Sequence, residues 1–231
     1  GITKNGWTKE TATITPVERD QDGYFPSIFG VVARQLPGAK TAMFYDWDEL
    51  ANFYNPRDIA TSVFSKKYHE TLDTAARHLI SARPAFTFIY IGHVDDVGHE
   101  IGHGTPEYRQ AITEVDEALG GLFSALKTEG LFDRILFFVI SDHGGVGRGH
   151  GGESMDEIEV PWIVSGPGVV ADRLLQRPNY SLNTAPTITW ALGLKPPDAW
   201  VGRPVLEAFE AGGAGAADIP RPRVPAAGGV A

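Results

Sequence analysis

Five residues of metal-binding types stand out in this sequence by their spacing: Asp95, His99, Asp142, His143 and His150. Carboxylates and neutral imidazoles are the usual oxygen and nitrogen ligands of zinc and similar divalent cations. Asp95 and His99 lie four residues apart, so both side chains can reach one ion. Glycines between His143 and His150 let the backbone double back toward the first pair. Five such ligands exceed the need of one tetrahedral ion, so the sequence predicts a centre for two divalent cations.

Each half of this pattern has a simpler interpretation when taken alone. An Asp-x-x-Gly-His segment is common, and a histidine in a glycine-rich loop is often a solvated surface residue. The step from Ser141 to Asp142 and His143 is more specific, because three polar residues follow an apolar run. Burying so many ionisable groups without a cation would be costly. Asp96 is the alternative to its neighbour Asp95, and the Gly-flanked His103 is expected to face solvent or a substrate.

The elements that must position these residues can be read from the runs that precede them. Residues 86–91 and 135–140 are continuous apolar, β-prone runs, which are typical of strands covered on both faces. Between them, Thr105 and Pro106 supply an N-cap and a first helical residue, and Gly130 ends a long amphipathic helix. Strand, helix and strand in this order predict a mostly parallel sheet, whose ligands bind beyond the carboxyl ends of the strands.

The remaining periodic segments complete an α/β chain with a three-layer sandwich, in which a mostly parallel central sheet lies between helices. Further helices are predicted over residues 26–36, 66–82 and 186–192, and further strands over residues 40–46 and 160–164. The first 22 residues have a loop composition. Residues 211–231 consist largely of Ala, Gly and Pro and are predicted to be a disordered tail, which leaves residues 1–210 for the folded domain.

Composition narrows the function classes. The 231 residues, 42% hydrophobic and 21% charged, are ordinary for one globular domain. A net charge of −9 without a basic stripe disfavours binding to a nucleic-acid backbone. The absence of cysteine excludes disulfides and thiolate zinc sites. No apolar run approaches the roughly 20 residues of a membrane span, so none is expected in this chain.

The two metal-ligand segments carry a resemblance to a known family. DDVGHEIGHGTPEY followed by VISDHGGVGRGHGG resembles the alkaline phosphatase superfamily, and within it the bacterial type I phosphodiesterase/nucleotide pyrophosphatase branch. GITKNGW near the start is similar to a substrate loop of that branch. The closing segments GPG, APTITWALGL and WVGRPV, which start at residues 166, 185 and 200, support the match. The resemblance implies an alkaline-phosphatase-like fold.

The resemblance also implies how the ligands divide between two metals. Asp142 and His143 are expected to bind one metal, together with an aspartate further upstream and the nucleophile. Asp95, His99 and His150 are expected to bind the second. Zinc is the expected ion, with manganese as the alternative.

The implied activity is hydrolysis of a phosphate ester or nucleotide, a small-molecule substrate, by a phosphodiesterase or nucleotide pyrophosphatase. Asn5 is expected to donate a hydrogen bond to a non-bridging phosphoryl oxygen. The family nucleophile is a Thr or Ser expected upstream of this chain, so the activity of these 231 residues alone stays open. An export signal is expected upstream too, so the protein is expected to be periplasmic or secreted. The alternatives are a phosphomonoesterase, a sulfatase of the same superfamily, or a non-catalytic metal-binding remnant.

Overall fold

A computed structural model describes residues 19–209. Asn5 and the predicted tail over residues 211–231 lie outside that range. The helices are α1 Ile28–Gln35, α2 Tyr68–Ala82, α3 His93–Glu100, α4 Pro106–Thr128, α5 Met155–Ile158 and α6 Thr184–Ala191. The strands are β1 Thr41–Tyr45, β2 Thr61–Phe64, β3 Phe86–Tyr90, β4 Phe137–Ile140 and β5 Trp162–Ser165.

The strands form two hydrogen-bonded groups. Three of them make a parallel sheet in the order β2–β1–β3, with Phe44 opposite Val63 on one side and Ile89 on the other. The other two, β4 and β5, pair antiparallel, with Phe138 opposite Val164. The sheet of three is therefore parallel, as the strand–helix–strand pattern predicts.

Alternate residues of β1 face two separate cores. Ala42 and Phe44 pack in a cluster with α2 and α4, which contains Leu126. Met43 lies in a second cluster, on the opposite face, with Phe29 of α1. Because neighbouring residues of a strand point to opposite faces of its sheet, α2 and α4 cover one face and α1 covers the other. The predicted three-layer α/β arrangement is confirmed.

Strand β4 lies in the same middle layer as β1 and β3. On one side, Phe137 contacts Phe123 of α4, with ring centroids 4.9 Å apart. On the other, Phe138 contacts Trp162 of β5 at 5.6 Å, and the Trp162 indole donates to the Thr184 hydroxyl of α6 at 3.0 Å. Helix α4 therefore covers one face of both strand groups, and α6 lies on the opposite side of β4.

Most predicted elements are confirmed within two or three residues of their ends, including the Thr105 N-cap, whose hydroxyl oxygen accepts from the Tyr108 amide. Three elements were missed: β2, α3 and α5. No helix was predicted over the segment with Asp95 and His99, which forms α3. The prediction that β4 is covered on both faces is also wrong, because Val139 is 38% exposed and Ile140 is 41% exposed. Among residues 19–209, no helix is long and apolar enough to cross a membrane.

Candidate metal centre

Helix α3 supplies the first pair of candidate ligands. It begins three residues after β3 ends, so it lies at the carboxyl edge of the parallel sheet. Asp95 and His99 are one helical turn apart on it, and His99 Nε2 is 3.4 Å from Asp95 Oδ2. The four-residue spacing therefore corresponds to about one turn of α3, which places both side chains on the same face of the helix.

The loop after β4 supplies the second group. A tight turn pairs Val146 with Gly149 through two backbone hydrogen bonds of 2.9 and 3.1 Å. Gly147 at its centre has φ +58°, a left-handed conformation that glycine adopts without strain. The turn returns His150 to α3, and its Nε2 lies 3.1 Å from Nε2 of His99.

The two groups meet in one cluster. Ligand atoms of Asp95, His143 and His150 all lie within 4.8 Å of one another. The rings of His143 and His150 stack with centroids 3.7 Å apart. Oδ1 of Asp95 is buried and has no hydrogen-bond partner among the described residues. Because a buried carboxylate oxygen without a partner is costly, this donor set fits a bound cation.

Backbone carbonyls orient two of the imidazoles. Nδ1 of His99 lies 3.0 Å from the carbonyl oxygen of Arg148, and Nδ1 of His143 lies 2.9 Å from that of Gly144. A carbonyl only accepts, so each contact requires the proton on Nδ1. The lone pair is then left on Nε2, as a metal ligand needs.

Asp142 stands apart from the cluster of three. Its side chain is 63% exposed, and its Oδ2 lies 3.7 Å from Nε2 of His143. Its Oδ1 accepts from the backbone amide of His143 at 3.1 Å. Asp142 therefore lies on the exposed side of the cluster, next to the end of β4.

Comparison with known proteins decides the family. The family model described as type I phosphodiesterase/nucleotide pyrophosphatase matches residues 1–157 of this chain. The chain belongs to this family. Human GPI ethanolamine phosphate transferase 3, catalytic subunit, is 26% identical over 165 residues, 69% of this chain and 14% of that protein. Human ectonucleotide pyrophosphatase/phosphodiesterase family member 7 is 36% identical over 56 residues, 24% of this chain and 12% of that protein.

The chain thus spans a small part of the length of the curated relatives it matches. A solved structure described as a 2-O GAG sulfatase superposes with a TM-score of 0.54 at 12% identity, over 82% of this chain and 57% of that one. At that identity the likeness shows the fold alone, and it is the alkaline-phosphatase-like fold that the motifs predict.

His103 of this phosphodiesterase-family chain was misjudged from the sequence. Its side chain is only 6% exposed, so the expectation that it faces solvent is wrong. The imidazole fits between Gly98 of α3 and Gly145 of the β4 loop, where a Cβ atom on either glycine would collide with the ring. Its Nδ1 lies 3.1 Å from the carbonyl oxygen of Gly147, and its Nε2 lies 3.9 Å from Oδ1 of Asp95. The signal available in the sequence was the pair of glycines, Gly98 and Gly145, which leave space for a buried ring.

Asp46 is a second residue that sequence reasoning missed. It directly follows β1 at the same sheet edge and accepts from the Gly92 amide at 2.8 Å. Burial raises the pKa of the Asp46 carboxyl, and the Gly92 hydrogen bond partly offsets that rise.

In the candidate centre itself, burial and then the neighbouring His143 lower the pKa of His150, which favours the neutral imidazole that a metal requires.

Proposed function

We propose that this chain carries the metal centre of a phosphate ester hydrolase that acts as a phosphodiesterase or nucleotide pyrophosphatase. One observation carries the proposal: the buried Asp95 Oδ1, which has no hydrogen-bond partner among the described residues, lies on α3 at 3.9 Å from the His150 imidazole of the loop after β4, in one cluster with His143. A carboxylate among neutral imidazoles is a site for a divalent cation. Membership of the type I phosphodiesterase family supplies the reaction class.

The proposed ligand sets follow the family resemblance. Asp95, His99 and His150 hold one cation, and Asp142 with His143 holds part of a second site, which an aspartate outside this chain completes. The short distances from His150 to His99 and Asp95 support the first set. The stacking of His143 on His150 supports a shared boundary between the two sites. Bound zinc, or manganese as the alternative, would supply Lewis-acid activation of a hydroxyl and charge stabilisation at the phosphoryl oxygens.

The chain's own residues bind and orient. The Arg148 and Gly144 carbonyls fix the tautomers of His99 and His143, so that both present Nε2 to the centre. Asn5 is proposed to donate a hydrogen bond to a non-bridging oxygen of the substrate, where losing one such donor typically costs about 10²–10³ in rate. A Thr or Ser upstream of this chain is proposed as the nucleophile. The substrate is a small phosphate ester or nucleotide.

Transfer to an alcohol acceptor is a second candidate reaction. The human GPI ethanolamine phosphate transferase 3 match covers 69% of this chain, against 24% for the ectonucleotide family member. The same centre could serve either reaction, because hydrolysis and transfer differ only in whether water or an alcohol attacks the phosphoryl group.

The experiment is a diester and monoester assay on the encoded protein including its upstream residues, with p-nitrophenyl substrates and metal content measured in parallel. We expect diesterase activity and about two bound metals. His150→Ala and Asp95→Asn should each reduce activity by more than the ~10–100-fold typical of residues that only orient ligands.

His69→Ala is the matched control, because His69 is an exposed histidine on α2 outside the centre. Full diesterase activity in both ligand variants would overturn the proposal. Product analysis with glycerol present separates hydrolysis from transfer to an alcohol.

A further inference from the structure

Helix α3 carries Asp95 and His99, yet little within the helix fixes where it lies. It has only 8 residues, and helices of that length are marginal without tertiary contacts. Its N-cap, Gly92, makes no side-chain capping hydrogen bond, and Gly98 is its one buried residue. The contacts that hold the start of α3 must therefore come from neighbouring elements.

The segment after β1 provides the first of these contacts. Asp46 directly follows β1, and its Oδ1 accepts a hydrogen bond from the Gly92 amide at 2.8 Å. A Cβ atom on Gly92 would lie 3.3 Å from the same oxygen, so glycine permits the close approach. The Asp96 amide donates to the Gly92 carbonyl at 3.0 Å, which closes the first turn of α3 with Asp95 inside it. Asp46 therefore holds the point at which the chain turns from β3 into α3.

Helices α2 and α4 provide the second contact, one residue further along the chain. Nε2 of His93 lies 3.2 Å from Oε2 of Glu114 on α4. The His93 ring also stacks on Tyr68, the first residue of α2, with centroids 4.5 Å apart and an angle of 19° between the planes. Tyr68 is buried in the core cluster that contains Leu126. The first residue of α3 is thus fixed against both the core and α4.

The side chain of Asp95 has no comparable support of its own. Its Oδ1 is buried and has no hydrogen-bond partner among residues 19–209. His99, in the last turn of α3, is oriented instead by the Arg148 carbonyl. The position of Asp95 therefore depends on where the backbone of the first turn of α3 is held.

We propose that Asp46 and Glu114 are positioning residues for Asp95, which act through Gly92 and His93 and which we name the α3 clamp. This inference rests on the proposed metal centre. Groups that bind a metal must be held within about 0.5 Å of their working geometry. The α3 clamp holds the first turn of α3 from two sides, so that Asp95 stays opposite the loop after β4.

The first test is competitive zinc titration of variants of the encoded protein. Asp46→Ala and Glu114→Ala should each weaken zinc binding by ~3–30-fold, the range for residues that couple to a site without touching its ligand. Asp46→Asn and Glu114→Gln keep an acceptor oxygen at the same place, so both should bind zinc almost as tightly as the wild type. Losses as large in these two variants as in the alanine variants would overturn the proposal.

The chain offers a matched control for each residue. Asp48 lies two residues after Asp46, and Glu117 lies three residues after Glu114 on α4; both are exposed. Asp48→Ala and Glu117→Ala remove the same charge from the same region without touching the α3 clamp, so neither should change zinc affinity. A loss in these controls equal to that in the clamp variants would reduce the effect to net charge and contradict the proposal.

Hydrogen–deuterium exchange of the metal-free protein tests the α3 clamp without zinc. With α6 as the internal standard, amides of α3 should exchange at least ~3-fold faster in Asp46→Ala and Glu114→Ala, because the helix opens more readily. Unchanged exchange of α3 in both variants would overturn the proposal. The metal centre itself has a separate test: wild-type zinc affinity in Asp95→Asn would contradict the proposed function, while the exchange of α3 would still decide on the α3 clamp.

Discussion

His103 shows how one side chain couples the two halves of the candidate metal centre. It follows α3 in sequence, yet its backbone amide donates to the Gly147 carbonyl at 2.7 Å and its ring Nδ1 contacts the same oxygen. Gly98 and Gly145 leave the space that the ring fills. His103 therefore fixes the distance between Asp95 and the loop after β4.

Replacing His103 by alanine should loosen that distance. We expect His103→Ala to reduce the free energy of unfolding by about 1–3 kcal/mol, since the variant empties a buried site and leaves the Gly147 carbonyl with one partner fewer. Zinc affinity should fall by ~10–100-fold, the range for residues that orient metal ligands. Urea denaturation and competitive zinc titration measure the two effects.

His69→Ala, at an exposed position of α2, is the control and should change neither quantity. Unchanged zinc affinity in His103→Ala would mean that the ring only fills space.

At the scale of elements, the one-turn helix α5 closes the loop that carries His150. Ser154 and Glu157 form a capping box at its start, and the Glu157 carboxylate accepts from the Ser154 hydroxyl at 2.6 Å and from the Gly152 amide at 2.7 Å. The Gly144 amide donates to the Glu157 carbonyl at 2.7 Å. One short helix thus anchors the loop on both sides of the tight turn, although none of its four residues is buried.

The Glu157 contacts predict a pH dependence of stability. Hydrogen bonds from the Ser154 hydroxyl and then the Gly152 amide lower the pKa of Glu157 below its ordinary 4.5. Because the folded-state pKa lies below the unfolded one, the stabilisation is fully present above pH 4.5 and is lost as pH falls through the folded-state pKa. In metal-free protein, Glu157→Gln should lower the denaturation midpoint at pH 7.

That difference should disappear below the folded-state pKa of Glu157. Chemical denaturation from pH 7 to 3 measures it, and Glu153→Gln, at an exposed neighbour, is the control. A difference between wild type and Glu157→Gln that persists unchanged at pH 3 would show that the carboxylate charge has no part in it.

For the whole molecule, the candidate metal centre lies between two strand groups that are not hydrogen-bonded to each other among residues 19–209. Asp95 and His99 belong to α3, which follows the parallel sheet, while His143 and His150 follow the separate β4–β5 pair. Helix α4 spans both groups through Leu126 on one side and Phe123 on the other. A cation bound between α3 and the loop after β4 would link the two strand groups at their carboxyl ends.

Zinc should therefore stabilise the whole chain. At a free zinc concentration 100 times the dissociation constant, binding to the folded state alone contributes about 2.7 kcal/mol. We expect the melting temperature to rise by several degrees with zinc and to return to its starting value with excess chelator. Asp95→Asn should remove most of the rise. A rise of equal size in that variant would place the stabilising zinc elsewhere.

Local patterns account for most of the helices and strands. The apolar runs before the candidate metal ligands predicted β3 and β4, and Thr105, Pro106 and Gly130 predicted the bounds of α4. Strand β2 was missed because its four residues, TSVF, form too short a pattern, and α5 was missed because it depends on one capping box. Helix α3 was missed because its glycine suggested a loop, while the space that Gly98 leaves for His103 is a tertiary contact.

The sequence alone determined which residues are the metal-ligand candidates and on which edge of the sheet they lie, because residue type and strand order need no coordinates. Tertiary structure decided the environment of each one. The burial of Asp95 Oδ1, the place of His103 between two glycines and the pairing of β4 with β5 all depend on segments far apart in the chain. Packing between such segments is a property of the assembled layers, and no local pattern encodes it.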